Sequence, residues 1–285
     1  MAGFNPALAE AEPSLATDLL PGTSRRPRAG RGQRLYDRLV APLIPTLSAI
    51  VVLGVVWELV GQLLQFPWFP PVSKVLVTLV KLIDQGVIGT NVLASLRSLA
   101  IGYASSLTFG LVVGTLLGRY RWFEHLFGIY VQLLVFAPSI IFAPIFFTIF
   151  GLSDITRIAV VFLYSAFIIA VNTATAVRYV DRTLVEMATV FGASERKMVM
   201  KVILPGALPL MMAGVRLGAG RAVKGMINGE AFIALVGLGA LVETYGGQFA
   251  AAKVLAILII VVGIAVIVAS LVQAIDRRLT SWSTM

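Results

Sequence analysis

Residues 158–205 read Ile158-Ala-Val-Val-Phe-Leu-Tyr-Ser-Ala-Phe-Ile-Ile-Ala-Val-Asn-Thr-Ala-Thr-Ala-Val177 and then Arg178-Tyr-Val-Asp-Arg-Thr-Leu-Val-Glu-Met-Ala-Thr-Val-Phe-Gly-Ala-Ser-Glu-Arg-Lys-Met-Val-Met-Lys-Val-Ile-Leu-Pro205. The first part is uncharged and has the length, about 20 apolar residues, that crosses a bilayer's hydrocarbon core. The second part reads as helix, turn, helix. Thr183 or Asp181 can cap the first short helix, Gly192 can end it and Ser194 can cap the second, each by the usual cap chemistry. Pro205 and Pro209 mark the return to the membrane. On the first short helix Leu184, Ala188 and Phe191 share a face at helical spacing, with Met187 alongside. Two readings of that ridge stand: it fits a partner's groove, or it lies on the protein's own helix ends.

Outward from this stretch the apolar pattern repeats. Spans are expected at Ala41–Leu64, Ser98–Gly118, Leu126–Ser153, Ile158–Val177 and Val254–Ile275. Pro138 and Pro144 fall inside the third and are expected to kink it. A further, weaker span, Gly206–Leu241, contains Arg216, Arg221, Lys224 and Glu230. It reads as a helix buried among others, because charges facing lipid cost several kcal/mol each by most estimates. The composition agrees with a membrane solvent: of 285 residues 58% are hydrophobic and 13% charged, and mean hydropathy is +0.92. The expected fold is therefore all-α, a polytopic membrane protein with six transmembrane helices.

The net charge of +9 would suggest nucleic acid in a soluble domain. Here it reads as topology, since cytoplasmic segments collect Lys and Arg, and no nucleic-acid partner is expected. With both termini inside, the inner segments hold Arg25, Arg26, Arg28, Arg31, Arg34, Arg38, Arg119, Arg121, Arg178, Arg182, Arg196, Lys197, Lys201, Arg277 and Arg278. The outer ones hold only Lys74, Lys81, Arg97, Arg157 and Lys253. Residues 1–40 read as a flexible basic cytoplasmic arm and not a cleavable signal, because they begin with Glu10, Glu12 and Asp18 and the apolar run starts late. The arm's arginines suit either topology alone or contact with anionic membrane lipid. Residues 41–285 form the membrane domain. Outside, the Phe66–Pro71 run stops the first helix, and Val72–Gln85 reads as a short amphipathic surface helix with Lys74, Lys81 and Asp84 on its wet side.

The residues Glu186-Met187-Ala188, Gly192, Val202 and Leu204-Pro205 carry a resemblance. Their spacing resembles the Glu-Ala-Ala…Gly…Ile-x-Leu-Pro loop of binding-protein-dependent ABC importer permeases with the type I importer fold. Met187 stands where the family has a second alanine, and Val202 where it has isoleucine. The resemblance runs from Trp57-Glu58 through residues 69–76 to Arg277-Arg278-Leu279 and is nearest the taurine/nitrate/sulfonate-type branch. It implies a subunit in the bacterial plasma membrane that works as a pair of copies with two cytoplasmic ABC ATPase subunits and a periplasmic or lipid-anchored substrate-binding protein. It also implies that the loop at about 178–205 couples to the ATPase, with Glu186, Met187, Ala188, Gly192, Leu204 and Pro205 at matching positions. The implied cargo is a small organic or inorganic anion, moved by alternating access.

No catalysis of its own is expected. A phosphate-binding loop ends Gly-Lys-Ser/Thr, and the dipeptide Gly-Lys is absent, so ATP hydrolysis falls to a partner. No cofactor or metal site is expected: Cys is zero and the single histidine is His125. For the solute path the candidates are Asn172, Asn228 and Glu230, then Gln132, Ser139 and Glu58, because buried polar groups in a bilayer face a cavity or one another. Interhelical structural hydrogen bonds are the competing role. Glu58 and Glu230 sit awkwardly in an anion path unless they pair with Arg216, Arg221 or Lys224. Glycines at four-residue spacing (Gly110, Gly114, Gly118; Gly214, Gly218; Gly225, Gly229) permit close helix approach, within the chain or between copies. The alternative function is an ATPase-independent secondary carrier or small channel.

Overall fold

The computed structural model describes residues 43–64, 66–137, 139–233 and 235–281. The basic arm lies outside them. Residues 56–285 form one compact unit, and of the residues before it 43–55 are described, as helix. The elements are α1 (Leu43–Leu64), α2 (Val72–Asp84), α3 (Val87–Arg119), α4 (Arg121–Phe136), α5 (Phe142–Phe150), α6 (Asp154–Arg178), α7 (Arg182–Val190), α8 (Glu195–Met198), α9 (Leu204–Ile233), α10 (Leu238–Gly247) and α11 (Ala251–Leu279). Helix α3, helix α6, the continuous run 195–233 and helix α11 are each long and apolar enough to cross a membrane. The pair around residue 138 makes a fifth crossing if its two arms are taken as one, and α1 adds a shorter apolar helix. Six spans are compatible with this count.

Helix α6 is the axis of the bundle. Val161, Ala166, Ile169 and Ala170 on it are completely buried, with α3 against one side and α9 against the other. The glycine rows explain how three helices come so near. A Cβ at Gly110 would stand 2.6 Å from Ile169 Cγ2, and one at Gly114 2.5 Å from the Ala170 carbonyl oxygen. On the far side a Cβ at Gly218 would stand 2.5 Å from Ile169 Cγ1 and one at Gly225 2.9 Å from Tyr164 Cβ. All three rows therefore serve packing within the chain. Ser165 Oγ donates to Ser106 Oγ at 2.7 Å in the middle of the α3–α6 contact. Tyr103 Oη donates to the Val215 carbonyl at 2.8 Å, tying α3 to α9.

Three expectations are revised. The Leu126–Ser153 span is not one kinked helix: α4 stops at Phe136 and the chain turns by 92° before residues 139–150. Ala137 is extended (φ −60°, ψ 135°), as the residue before a proline prefers, and Pro144 falls in the first turn of α5, where its missing N–H costs nothing. The second short helix of the loop is not separate. It continues through a π-helical segment, Val199–Ile203, into α9. That wider turn suits Pro205, which cannot donate to the carbonyl four residues back and would clash with it in a regular α-turn.

The third revision concerns the charged span. α9 is buried along Met211, Val215, Ala222 and Met226, but Arg216, Arg221 and Lys224 lie on its opposite, exposed side. Packing on α6, α3, α10 and α11 leaves that side exposed among the described residues.

Candidate functional site

The loop 178–205 is built by local chemistry. Asp181 accepts a hydrogen bond from the Thr183 amide at 2.8 Å and caps α7. At the other end the Ala193 amide donates to the Ala188 carbonyl (3.0 Å) and the Gly192 amide to the Thr189 carbonyl (2.9 Å), the paired bonds of a Schellman stop. That stop needs a left-handed residue, and Gly192 has φ +71°. Ser194 precedes α8 at the cap position, but its side chain makes no capping bond.

Packing separates the faces of α7. Val185 and Ala188 lie inward on a cluster of Ala176, Val177, Met198, Ile203, Ala207 and Met211, and Val202 and Leu204 pack on the same cluster. Leu184, Met187, Val190 and Phe191 point away, with Val190 85% and Phe191 87% exposed. The expected ridge is thus divided: Ala188 belongs to the inner face, and Val190, which helical spacing did not single out, joins the outer one. Glu186 lies beside this ridge on the wall of a cavity of 420 Å³. Pro205 stands in the first turn of α9.

Four arginines, Arg119, Arg121, Arg178 and Arg182, line that cavity. Arg178 Nη2 meets Glu124 Oε1 at 2.9 Å and the Leu117 carbonyl at 3.2 Å. Arg119 holds Glu195 by two bonds, Nε–Oε1 at 2.8 Å and Nη2–Oε2 at 2.9 Å, a fork geometry that fixes the loop to the end of α3. No local sequence signal pairs residues so far apart in the chain. The Arg119 hydrogen bonds hold the Glu195 carboxyl below its ordinary value of 4.5. Because the folded value is the lower one, the stabilisation is complete above pH 4.5 and is lost as pH falls through the folded value. Glu195→Gln should therefore lower the thermal midpoint at pH 7 by about 1–3 °C, the scale of an exposed pair. As pH is lowered below 4.5 the difference in thermal midpoint between the two proteins should narrow.

The candidate path residues are not gathered in one place. Asn172 Nδ2 donates to the Ile168 carbonyl on its own helix at 2.7 Å and packs against Gly214. Asn228 Nδ2 donates to Tyr164 Oη at 2.8 Å. Gln132 lines a cavity of 620 Å³ with Arg121, Glu124 and His125. Ser139 opens a short 3₁₀ turn, Ser139–Ile141. Glu58 accepts from the Ser73 amide (2.9 Å), Ser73 Oγ (2.7 Å) and Gln62 Nε2 (2.6 Å), and so fastens the start of α2 to α1.

Glu230 is 0% exposed. Its Oε2 accepts from Ser95 Oγ at 2.7 Å and from the Gly239 amide at 3.1 Å, and Ser98 Oγ lies 3.2 Å from Oε1. The Leu238 amide donates to Ser95 Oγ (2.9 Å) and the Gly237 amide to Asn91 Oδ1 (2.7 Å). The carboxylate thus clasps the turn between α9 and α10 onto α3. Asn91, Ser95 and Ser98 went unremarked in the sequence, although polar residues at i, i+4 and i+7 on an apolar helix were a usable signal. Neither Glu58 nor Glu230 is paired with Arg216, Arg221 or Lys224. Arg216 Nη1 instead lies 3.4 Å from Asp276 Oδ2 on α11. Among the described residues no three His, Cys, Asp or Glu side chains gather to hold a metal.

The family model for binding-protein-dependent transport system inner membrane components matches residues 106–281, most of the chain and all of this loop. The chain belongs to that family. The permease is 31% identical over 213 residues to a probable ABC transporter permease protein of Brucella melitensis, covering 75% of this chain and 87% of the relative. It is 28% identical over 244 residues to the taurine transport system permease protein TauC of Escherichia coli, covering 83% and 89%. Its fold is similar to a chain of the MetNI methionine ABC transporter solved in inward-facing conformations, with TM-score 0.60, 22% identity and coverage of 67% and 94%. It is thus a multi-pass ABC importer permease of the type I fold, as the Glu186…Pro205 loop implied.

Proposed function

We propose that the permease works as a pair of copies that seat two cytoplasmic ABC ATPase subunits and receive solute from a periplasmic or lipid-anchored binding protein. It imports a small anion, of the sulfonate, taurine or nitrate kind, across the bacterial plasma membrane by alternating access, while the partner hydrolyses ATP. Both termini face the cytoplasm, by the distribution of Lys and Arg. The observation that carries the reading is α7: a capped, sharply stopped helix whose Leu184, Met187, Val190 and Phe191 face has no cover among the described residues. An exposed apolar helix face with fixed ends is what a partner's groove receives. Glu186, Met187, Ala188, Gly192, Leu204 and Pro205 set its position, and the Arg119–Glu195 fork transmits its movement to α3. The anion class rests on the taurine permease of Escherichia coli as a relative. Of the candidate path residues, Asn172 lies at a helix contact, Gln132 faces a cavity, Ser139 opens a 3₁₀ turn, Asn228 is best placed for solute, and Glu58 and Glu230 hold structure.

The test is assembly. Gly192→Val forces a β-branched residue into the left-handed region, at a cost of about 1–2 kcal/mol, with no other atom within 4 Å of the new Cβ. Co-purification with the ATPase and ATP-driven uptake should each fall at least about tenfold, while Gly192→Asn, tolerant of that backbone, should keep most of both. Undiminished assembly and uptake in Gly192→Val would overturn the coupling assignment. Uptake by the purified chain alone, driven by an ion gradient, would favour the carrier reading instead.

A further inference from the structure

Helix α9 carries Arg216, Arg221 and Lys224 within a membrane-crossing segment, and all three are exposed in the single chain. They share one face with Gly220 and, four residues beyond Lys224, with Asn228, as the 3.6-residue period requires. The outer end of the bundle is marked by Arg157, which is bonded to Asp154 and to the Val236 carbonyl. At 1.5 Å per residue, Lys224 and Arg221 lie about 13 and 18 Å inward from the end of α9 at Ile233. That is near the middle of a hydrocarbon core about 30 Å thick, too deep for either side chain to reach an interface easily. Among the described residues neither has a carboxylate partner, and Arg216 has only Asp276 at 3.4 Å. Charges at that depth face water or protein, not lipid.

The carboxylates are elsewhere. Glu230 is turned inward onto Ser95, Ser98 and Gly239, and Glu58 is held at Ser73. We infer that the Arg216–Arg221–Lys224 face of α9 lines a water-filled passage and attracts the transported anion within the membrane, with Asn228 offering a neutral hydrogen-bonding group one turn beyond. A sulfonate, sulfate-like or nitrate-like oxyanion suits guanidinium and ammonium donors, and the site excludes cations by the same field. This rests on the importer reading for its cargo, but the placement of the face does not.

The chain has no cysteine, so one introduced thiol reports alone. Gly220 lies in the middle of the face, and nothing stands within 4 Å of a Cβ there. In Gly220→Cys, in membranes, an anionic reagent (2-sulfonatoethyl methanethiosulfonate) should react at least about tenfold faster than its trimethylammonio counterpart, after normalising to a dissolved thiol. Adding Arg221→Gln and Lys224→Gln should bring that ratio to within about twofold of unity, and adding Arg221→Lys instead should preserve it. Labelling by a lipophilic maleimide but by neither charged reagent would place the face in lipid and overturn the proposal. Equal normalised rates in Gly220→Cys, or a preference that survives the double neutralisation, would overturn it too. Co-purification with the ATPase, measured on the same variants, keeps the two readings apart: preference without association removes the importer reading and leaves the charged face standing.

Discussion

Glu230→Ala is expected to cost the folded permease about 3–5 kcal/mol, because it removes the acceptor on which buried donors converge. Ser95 Oγ and the Gly239 amide lose their partner on Oε2, Ser98 loses its contact at Oε1, and a cavity opens between α3, α9 and α10. The turn has no fallback geometry. Gly237 has φ +110°, and a Cβ there would lie 2.3 Å from Glu230 Cδ; one at Gly239 would lie 2.2 Å from the Ile227 carbonyl oxygen. The backbone is folded tightly around the carboxylate and holds its place only while the carboxylate accepts. Glu230→Gln keeps the shape and one acceptor, and its NH₂ meets Ser98 Oγ, which can donate to the Ser95 carbonyl instead. The charge on the bonds from Ser95 and Gly239 is lost, however, so an intermediate loss of about 1–2 kcal/mol is expected. Thermal unfolding in detergent should show a fall of about 10 °C for alanine and about 3–5 °C for glutamine, with amide exchange at residues 235–241 accelerated first. A fall below about 3 °C for alanine would mean that the clasp does not hold the turn.

Gly114→Val should prevent the α3–α6 pair from closing. Its Cβ would stand 2.5 Å from the Ala170 carbonyl oxygen and 2.5 Å from Thr173 Cβ, and a backbone oxygen cannot swing aside as the end of a long side chain can. The helices must separate, which also breaks the Ser106–Ser165 bond and lifts Ile169 from its buried seat. The cost is at least about 3 kcal/mol, the upper range for overpacking a tight interior. The variant should accumulate poorly and elute as aggregate in size-exclusion chromatography. Gly263→Ala makes the contrast: nothing lies within 4 Å of its Cβ, so better helix propensity should leave stability unchanged or raised by up to about 1 kcal/mol. Equal behaviour of the two variants would show that the close approach of α3 and α6 is not what the glycine row secures.

Much of the fold was legible because its signals are local. Uncharged runs predict spans, and Asp181, Gly192 and Pro205 predict where the loop's helices begin and end, since capping, left-handed turns and the missing proline amide act within a few residues. The helix–turn–helix form of the 178–205 loop was legible for the same reason. What was not legible depends on residues distant in sequence. The sequence marks Glu230 as a polar residue in a span but not its partners Ser95 and Ser98 on another helix. Likewise the sharp bend between α4 and residues 139–150 could be expected only as a kink, because a proline disfavours helix without saying how far the chain then swings.

By itself the sequence determined that this chain belongs in a membrane, where its basic segments gather, and which loop carries the family's pattern. Hydropathy and turn chemistry are properties of contiguous residues, and they survive without knowledge of neighbours. Only the tertiary structure decided which side of each helix is covered. With α3 and α6 against one side of α9, Glu230 is enclosed and satisfied, while Arg216, Arg221 and Lys224 are left on the uncovered side. A charge in a span is costly wherever it faces lipid, and whether it faces lipid, protein or a wet passage is fixed by helix packing, which the order of residues along one helix does not contain.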